Sequence, residues 1–377
     1  MKTNKLIALF VITVIVVAGA IVTTHRQSPA TSKQKTVLFP DFKAAVNNVN
    51  EISIKQGQKT LTVISEGGQW KVKEADGYPA LFSKVKQTAL SVSGMEVISQ
   101  KTENPALYPK LGVEDPGSED AKSSLLTLND AGGKPLLSLI VGKTRLSSAA
   151  SNSHGLYVRL PDKQQALLVE SDLQASVNVA DWIDRDLINI SPDRISGIHI
   201  THGNNQDVDY SRAQDTKDLI LENIPKGKQA RSDYIQKRMQ GILEDVRIDG
   251  VAADANVSFP DTAVTATVQT TDGLTAVINS ATVDDKHYAK FSFQYNAPDK
   301  TKQEPSGSNS AAEGKDKAKN DSGQGIDVAR ETAELSAKTA GWVYQLPAYK
   351  FDTFTRKLDD LVEDIPEKET ETKESED

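Results

Sequence analysis

The chain has 377 residues, enough for two ordinary domains that each bury a core. Its formal net charge is −8 and it contains no long basic run, which argues against a nucleic-acid binder because such proteins need a basic face. Cysteine is absent, which excludes thiolate catalysis, zinc-thiolate sites, disulfides and a lipoprotein anchor.

The first predicted element is a membrane-spanning helix over Leu6–Val22. Lys2 and Lys5 precede this run, which contains no charged residue. As a helix the run spans ~26 Å, slightly less than the ~30 Å hydrocarbon core of a bilayer, and Thr23 and Thr24 can complete the span. Basic residues before the apolar run favour a cytoplasmic N-terminus. We therefore expect a single-pass protein of the inner membrane with most of the chain in the periplasm or outside the cell.

The same N-terminal run also fits a cleaved signal peptide, with Ala18-Gly19-Ala20 as the cleavage site. We favour an uncleaved signal anchor over residues 1–24 because the apolar run continues past Ala20. A polar linker is expected over residues 25–37.

Two distant segments share one apolar pattern. Val49–Ile54 reads VNEISI and Ile195–Ile200 reads ISGIHI, with apolar residues at the first, fourth and sixth positions of each. The last two apolar residues of each segment alternate with a polar one, as in a half-buried strand. Because six residues are a weak match, the elements that follow must also correspond.

The elements after the first segment are predicted as a hairpin over Lys59–Val72 with Gly67-Gly68 at its turn, then a helix over Ala80–Ile98. In that helix Leu81, Val85, Leu90 and Val92 are expected near one face, with Gly94 at its end. A hairpin over Ser124–Lys143, a further strand pair and a short amphipathic helix follow.

The second segment is followed by the same order of predicted elements. A polar hairpin precedes a helix over Arg231–Ile248, in which Ile235, Met239, Ile242 and Leu243 have helical spacing. Ser232 or Asp233 is its expected N-cap. A hairpin over Ala263–Val283, another strand pair and a short amphipathic helix complete the copy.

The recurring order predicts an α+β fold of duplicated antiparallel-sheet units with packed helices, preceded by one N-terminal transmembrane helix. We place the first unit at residues 38–191 and the second at 192–363, with the boundary near Ser191-Pro192. Residues 296–327 are polar and almost free of apolar side chains, which predicts a disordered insertion in the second unit. An acidic disordered tail is expected over residues 364–377.

The stretch Asp181–Ile200, DWIDRDLINISPDRISGIHI, has the residue types of an active site. We interpret it as the seam between the two units. Trp182, Ile183 and Leu187 are expected to pack a short terminal helix onto the first sheet, and Arg185 to pair with Asp181 or another nearby acid. If a ligand binds, we expect it in the groove beside this seam.

Histidine pairs do not predict a metal site. His199 and His202 are three apart on a predicted strand, so their side chains point to opposite faces. His154 and His287 are distant from both. The acidic pairs Asp207/Asp209, Asp284/Asp285 and Asp359/Asp360 lack the ligand spacing of a calcium loop, and turns or solvated faces explain them better.

Two short motifs resemble catalytic signatures without completing them. Ser83 to Lys86 has the S-x-x-K spacing of serine acyltransferases, but the companion S-D-N and K-T-G elements are absent. Gly142-Lys143-Thr144 follows an apolar strand as in a P-loop, but the required glycine five residues earlier is Leu137. We assign no catalytic, cofactor-binding or metal-binding residue and expect no cofactor.

Several motifs together resemble the DUF4340 family, a bacterial domain of unknown function. They are LFPDF at Leu38–Phe42, W-x-V at Trp70–Val72, YPKLGVEDP at Tyr108–Pro116, and WIDRDL at Trp182–Leu187 followed by ISGIHI. The resemblance implies an envelope protein whose relatives are often encoded beside an ABC-type transporter of the gliding-motility kind. It supplies no catalytic residues.

The leading hypothesis is a membrane-anchored periplasmic module without enzymatic activity that binds a partner, such as an ABC transporter subunit, through exposed hairpin edges. A first alternative is a small-molecule, glycan or lipid binding protein with a groove between the repeats. A second is a hydrolase with a carboxylate or serine site, which two carboxylates with perturbed pKa values in one pocket would support.

Overall fold

Antiparallel strands make up most of the regular structure. The computed structural model describes residues 36–145, 155–202, 206–213, 218–297 and 327–366. The predicted transmembrane helix Leu6–Val22, nearly all of the insertion and most of the acidic tail lie outside these residues. Within the described ranges no helix is long and apolar enough to cross a bilayer.

The described chain is mainly strands, with short helices between some of them. The strands are β1 Thr36–Val37, β2 Glu51–Gln56, β3 Lys59–Glu66, β4 Gln69–Val72, β5 Tyr78–Pro79, β6 Glu96–Gln100, β7 Ser124–Asn129, β8 Pro135–Arg145, β9 Gly155–Arg159, β10 Ala166–Glu170, β11 Asp186–Ile188, β12 Ile195–Thr201, β13 Val208–Arg212, β14 Leu219–Leu221, β15 Lys228–Ala230, β16 Val246–Arg247, β17 Gly250–Ala253, β18 Val264–Thr270, β19 Leu274–Val283, β20 Lys286–Tyr295, β21 Trp342–Gln345 and β22 Val362–Asp364. The α-helices are α1 Phe42–Ala45, α2 Phe82–Ser93, α3 Tyr108–Leu111, α4 Asp233–Gln240, α5 Val328–Thr339 and α6 Ala348–Phe354.

The described residues form two compact units. Unit 1 contains residues 36–49, 55–58 and 87–175, and unit 2 contains residues 50–54, 59–86 and 176–366, with the gaps given above. The first residues of β2 therefore belong to unit 2 and its last two to unit 1.

The strand order in unit 1 is β1-β6-β10-β9-β8-β7. Alternation of apolar and polar residues places one face of these strands in the core, as in β7, where Leu126 and Leu128 are fully buried. Between the strands, Tyr108 and Val113 of the YPKLGVEDP motif pack with Ile140 in one hydrophobic cluster. This motif is thus part of the core of unit 1.

Unit 2 contains the order β2-β3-β4-β5 and an eight-stranded sheet of order β14-β13-β12-β18-β19-β20-β21-β17. Two small sheets, β11-β16 and β15-β22, complete it. Helices α5 and α6 contact the long strands β19 and β20. The paired strands are antiparallel wherever their register is resolved, which confirms the predicted α+β class with antiparallel sheets.

The predicted hairpins are confirmed at β3–β4, β7–β8, β13–β14 and β18–β19. The helix predictions need correction at their ends. The helix predicted over Ala80–Ile98 covers Phe82–Ser93, and Glu96 already begins β6. The helix predicted over Arg231–Ile248 ends at Gln240, because Gly241 follows and the chain turns there.

The predicted apolar face of α2 is also partly wrong. Val85 and Val92 are buried as expected, with Ala89 between them, but Leu90 is 51% exposed and Leu81 is 37% exposed. Spacings of three and four residues keep side chains on one helix face, whereas Leu90 is five residues after Val85 and turns away from that face.

Candidate functional site

Strand β14 forms one edge of the eight-stranded sheet. On its inner side it pairs with β13, where the N–H of Glu222 donates to the carbonyl of Asp209 at 2.8 Å and the N–H of Ala213 donates to Asp218 at 3.3 Å. Along a strand, the N–H and C=O groups of successive residues point alternately to the two sides. These two bonds therefore determine which residues of β14 point their main-chain groups toward β13.

By this alternation, the N–H and C=O groups of Ile220 face β13, whereas those of Leu219 and Leu221 face away from the sheet. Among the described strands, none pairs with that outer side of β14. Leu219 and Leu221 bury their side chains, while Ile220 is 49% exposed on the opposite face. We call this outer side of β14 the open edge.

A groove of about 380 Å³ lies beside the open edge. Its walls come from β14, from the loop after it, from β15 and from α4. The side chains that shape it include Leu219, Leu221, Ile224, Ala230, Gln236 and Lys237. An edge strand next to a groove walled by a helix is an arrangement that can accept an extended peptide, because the edge supplies hydrogen bonds and the groove takes alternate side chains.

Helix α4 is held against the sheet by a side-chain hydrogen bond. The hydroxyl of Tyr210, on the inner face of β13, donates to Oε1 of Gln236 at 2.6 Å. Burial raises the pKa of Tyr210, so its hydroxyl stays protonated and available as a donor. The helix begins after Ser232 with Asp233 in its first turn, where a negative charge complements the helix dipole.

The turn after α4 is held by a buried lysine. The Nζ of Lys350 donates to the carbonyl oxygens of Glu244, at 2.6 Å, and Gly241, at 3.4 Å. Lys350 is only 6% exposed, and this burial lowers its pKa to about 8. Lys350, which lies in α6, therefore stabilises the C-terminal end of α4.

Strand β4 differs from β14 because its outer edge is covered by β5. Val72 pairs with Tyr78 and Lys71 with Pro79. Tyr78 is 5% exposed and its ring lies edge-on against Trp342, with the centroids 4.9 Å apart. At this edge, a two-residue extended segment thus buries one aromatic side chain.

A second, polar groove of about 480 Å³ lies within unit 2 beside the predicted seam. Its carboxylates are already bonded: Asp76 accepts from the N–H of Ala253 at 2.8 Å and Asp249 pairs with Arg185 at 2.5 Å. The lining residues Lys59 and Lys286 form no ion pair among the described residues.

The stretch Asp181–Ile200 is structural. Trp182 is fully buried and its Nε1 donates to the carbonyl of Ser176 at 3.0 Å. The predicted short terminal helix is only a 3₁₀ turn at Val179–Asp181, and Leu187 lies in β11. The prediction that Arg185 pairs with a nearby acid is wrong, because its partner is Asp249, 64 residues away. No sequence pattern links two residues so far apart.

His199 lies on the exposed face of β12, as predicted. Its Nδ1 bonds to Asp209 on β13, and its Nε2 lies 3.0 Å from Oγ1 of Thr201. Burial raises the pKa of Asp209, but hydrogen bonds from His199 and Asn223 outweigh this and hold that pKa below its usual value. The order acid–histidine–hydroxyl resembles a catalytic triad, but these side chains line neither groove described above and sit on an exposed sheet face.

The remaining described histidines and acidic pairs have structural positions in the fold. His202 lies 2.9 Å from the carbonyl of Arg356, and His287 stacks on Phe351. Asp284 and Asp285 form the β19–β20 turn with positive φ, and Asp207, Asp359 and Asp360 accept hydrogen bonds from neighbouring groups. No cluster of three or more potential metal ligands occurs in the parts of the chain that the structure describes. His154 lies outside them.

The two incomplete catalytic motifs also have structural positions. Ser83 and Lys86 are exposed on α2. A Cβ at Gly142 would lie 2.6 Å from the carbonyl oxygen of Leu111 and 2.7 Å from that of Gly112. Lys143 donates its Nζ to the carbonyls of Pro109 and Lys110, both within α3, at 3.2 and 3.1 Å.

The sequence did not identify the open edge. The signal was present in Leu219-Ile220-Leu221, three apolar residues in a row where a strand with one solvated face would alternate. Ile224, 38% exposed, adds to this apolar surface.

Comparison with known proteins gives one family match. A family model described as a domain of unknown function, DUF4340, matches residues 70–275. Searches of curated proteins and of solved structures found no match to this chain.

Proposed function

Because the chain belongs to the DUF4340 family, a domain of unknown function, we propose its function from the open edge of β14. The protein is a non-enzymatic binding module, anchored in the inner membrane by Leu6–Val22 with its bulk in the periplasm. It binds a partner protein by accepting an extended segment beside β14. The partner is a subunit of an ABC-type transporter.

The single observation on which this proposal depends is a strand edge that no described strand covers, flanked by exposed Ile220 and Ile224 and by a groove. Folded proteins normally protect such edges with charges, proline or a covering element, because an exposed apolar edge pairs with other chains. An edge left apolar beside a groove is therefore suited to a specific extended partner.

Internal duplication supports the same proposal. In the first half, unit 1 has the strand order β6-β10-β9-β8-β7, and unit 2 has the order β2-β3-β4. The eight-stranded sheet has the order β17-β21-β20-β19-β18-β12-β13-β14. The strands correspond one to one along the chain, so we infer that the two halves arose from one unit, with β4 corresponding to β14.

Site-specific photo-crosslinking tests the proposal. A photoreactive residue replaces Ile220 in the full-length chain in its native membrane, with Tyr295, 41% exposed at the end of β20, as the control position. We expect a covalent adduct with a transporter subunit from position 220 and not from position 295. Absence of a transporter subunit, or equal adducts from both positions, contradicts the proposal.

A second candidate function is binding of a small polar molecule, such as a glycan with an acidic group, in the polar groove. Lys59 and Lys286 favour it, because they are the lining cations and form no ion pair among the described residues, whereas the carboxylates of Glu74 and Asp76 accept backbone N–H groups and that of Asp249 pairs with Arg185. Calorimetry with galacturonate and neutral galactose tests this function. Substitution of both lysines by Gln should remove galacturonate binding, whereas Lys43→Gln, on an exposed helix outside the groove, should not. Equal binding of the two sugars contradicts it.

A further inference from the structure

The two corresponding edges, those of β4 and β14, differ in what covers them. Strand β5 follows β4 and pairs with it. Strand β15 follows β14 in the same way along the chain, but it pairs with β22 instead. Among its described strands, the second half thus has none that covers β14 as β5 covers β4.

The registers of the two hairpins identify the corresponding residues. Val72 of β4 pairs with Val63 of β3, and Leu221 of β14 pairs with Tyr210 of β13. Both Val72 and Leu221 bury their side chains, at 0% and 5% exposure. Val63 and Tyr210 are equivalent because they lie opposite Ile52 and Ile198, the matching fourth residues of VNEISI and ISGIHI. Leu221 therefore occupies in β14 the position that Val72 occupies in β4, where Val72 lies opposite Tyr78.

The main-chain groups agree with this correspondence. The N–H of Gly77 donates to the carbonyl of Val72, and the N–H of Ala80 donates to Trp70, so alternate residues of β4 bond to the covering segment. In β14 the outward-facing groups are those of Leu219 and Leu221, which have the same spacing.

The space for a side chain beside Leu221 also supports the correspondence between β4 and β14. In the first half, the residue opposite Val72 is Tyr78, which buries its ring. In the second half, the groove beside Leu221 holds about 380 Å³. Its lining combines apolar side chains, among them Leu219 and Ile224, with polar ones, among them Asp233, Gln236 and Lys237. An aromatic ring with a polar tip fits such a lining, because its body is apolar and its hydroxyl can reach a polar group.

We propose that β14 binds an extended segment antiparallel to itself, with an aromatic side chain opposite Leu221, in the arrangement that Tyr78–Pro79 has beside β4. The residue after the aromatic one lies opposite Ile220, between the hydrogen-bonding positions, so proline is accepted there as Pro79 is accepted beside Lys71. This inference rests on the proposed function and specifies the chemistry of the partner segment.

Peptide binding to the full-length protein in detergent tests the proposal. The probe is a fluorescent heptapeptide with the sequence of residues 76–82, and the comparison peptide replaces its Tyr78 by Ser. We expect the Ser peptide to bind about ten-fold more weakly or worse, because it loses burial of the ring. Hydrogen exchange should slow at the amides of Leu219 and Leu221 when the tyrosine peptide binds.

Two protein variants locate the binding. Ala230→Leu places a larger side chain in the groove from β15 and should weaken binding about ten-fold, whereas Gln229→Leu, at the neighbouring position outside the groove lining, should not. Equal binding of the two peptides, no binding of either, or binding without protection of Leu219 and Leu221 overturns the proposal.

The outcomes separate this proposal from the proposed function. If position 220 crosslinks to a transporter subunit while the two peptides bind equally, the proposed partner is supported and the proposed aromatic segment is contradicted. If the peptides behave as expected and no transporter subunit is crosslinked, binding of an extended segment beside β14 is supported and the proposed transporter partner is contradicted.

Discussion

Gly142→Ala should destabilise unit 1 by about 3 kcal/mol, the upper end of the usual cost of overpacking. The added Cβ would lie 2.6 and 2.7 Å from the carbonyl oxygens of Leu111 and Gly112, and 2.7 Å from Cγ1 of Val113. Ordinary contacts between heavy atoms are about 3.5 Å or longer, so each of these is too short by most of an ångström. Two of the three atoms belong to the backbone and cannot rotate away.

The matched control is Gly94→Ala, also in unit 1. Its nearest neighbour would be the carbonyl oxygen of Leu90 at 3.5 Å, an ordinary contact, so the free energy of unfolding should change by no more than about 0.5 kcal/mol. Urea unfolding of the full-length protein in a mild detergent, followed by circular dichroism, measures both variants. Two units can unfold in separate transitions, so hydrogen exchange should assign the loss to β7–β9.

A Gly142→Ala variant as stable as the wild type would refute the reasoning. It would mean that the turn at Leu111–Val113 moves aside at little cost. The close packing gives Gly142-Lys143-Thr144 a structural role. If the wild type bound ATP and a stable Gly142→Ala variant did not, the interpretation of this motif as a nucleotide-binding loop would be restored.

The remaining predictions concern two charged groups of unit 2. Burial lowers the pKa of Lys350 from 10.5 to about 8, so between these values the unfolded chain binds more protons than the folded chain. The wild type should therefore gain up to about 3 kcal/mol over Lys350→Met as the pH rises from 8 to 10.5, measured by urea unfolding. A constant difference across that range would contradict this. Glu331→Gln should cost about 2 kcal/mol in thermal unfolding, because it breaks a two-bond pair with the mostly buried Arg194 at 2.9 and 2.6 Å. Glu334→Gln, on the same helix but in an exposed pair, should cost under about 0.5 kcal/mol, and equal losses would argue against the difference in burial as the cause.

Local signals made the hairpins predictable from the sequence. Gly67-Gly68 and Asp272-Gly273 lie at turns between alternating strands, and both turns form where expected, with positive φ at Gly67, Gly68 and Gly273. In β12, Ile198 and Ile200 are buried with the predicted alternation, and Ile195 is buried across a register shift between Ile195 and Gly197. These features depend on a few neighbouring residues, so their pattern is visible in one sequence.

Long-range pairing was not predictable in the same way. The bond between Arg185 and Asp249 and the pairing of β15 with β22 join residues far apart in the chain. Neither has a local pattern, because a three-residue segment such as Lys228–Ala230 fits several edges equally well. The edge of β14 is open because β15 pairs with β22 and not with β14. The sequence therefore predicted that hairpin edges would be exposed, but it did not predict which edge.

The pairing of β15 with β22 has a consequence for the order in which the chain is made. Gln229 and its partner Glu363 are 134 residues apart, so β15 leaves the ribosome long before β22 exists. During that interval β14 already has its partner β13, whereas β15 follows β14 in the chain without its own partner. The binding edge is thus fixed by one of the last described strands to be synthesised, and a nascent chain does not present it in its final form until synthesis is nearly complete.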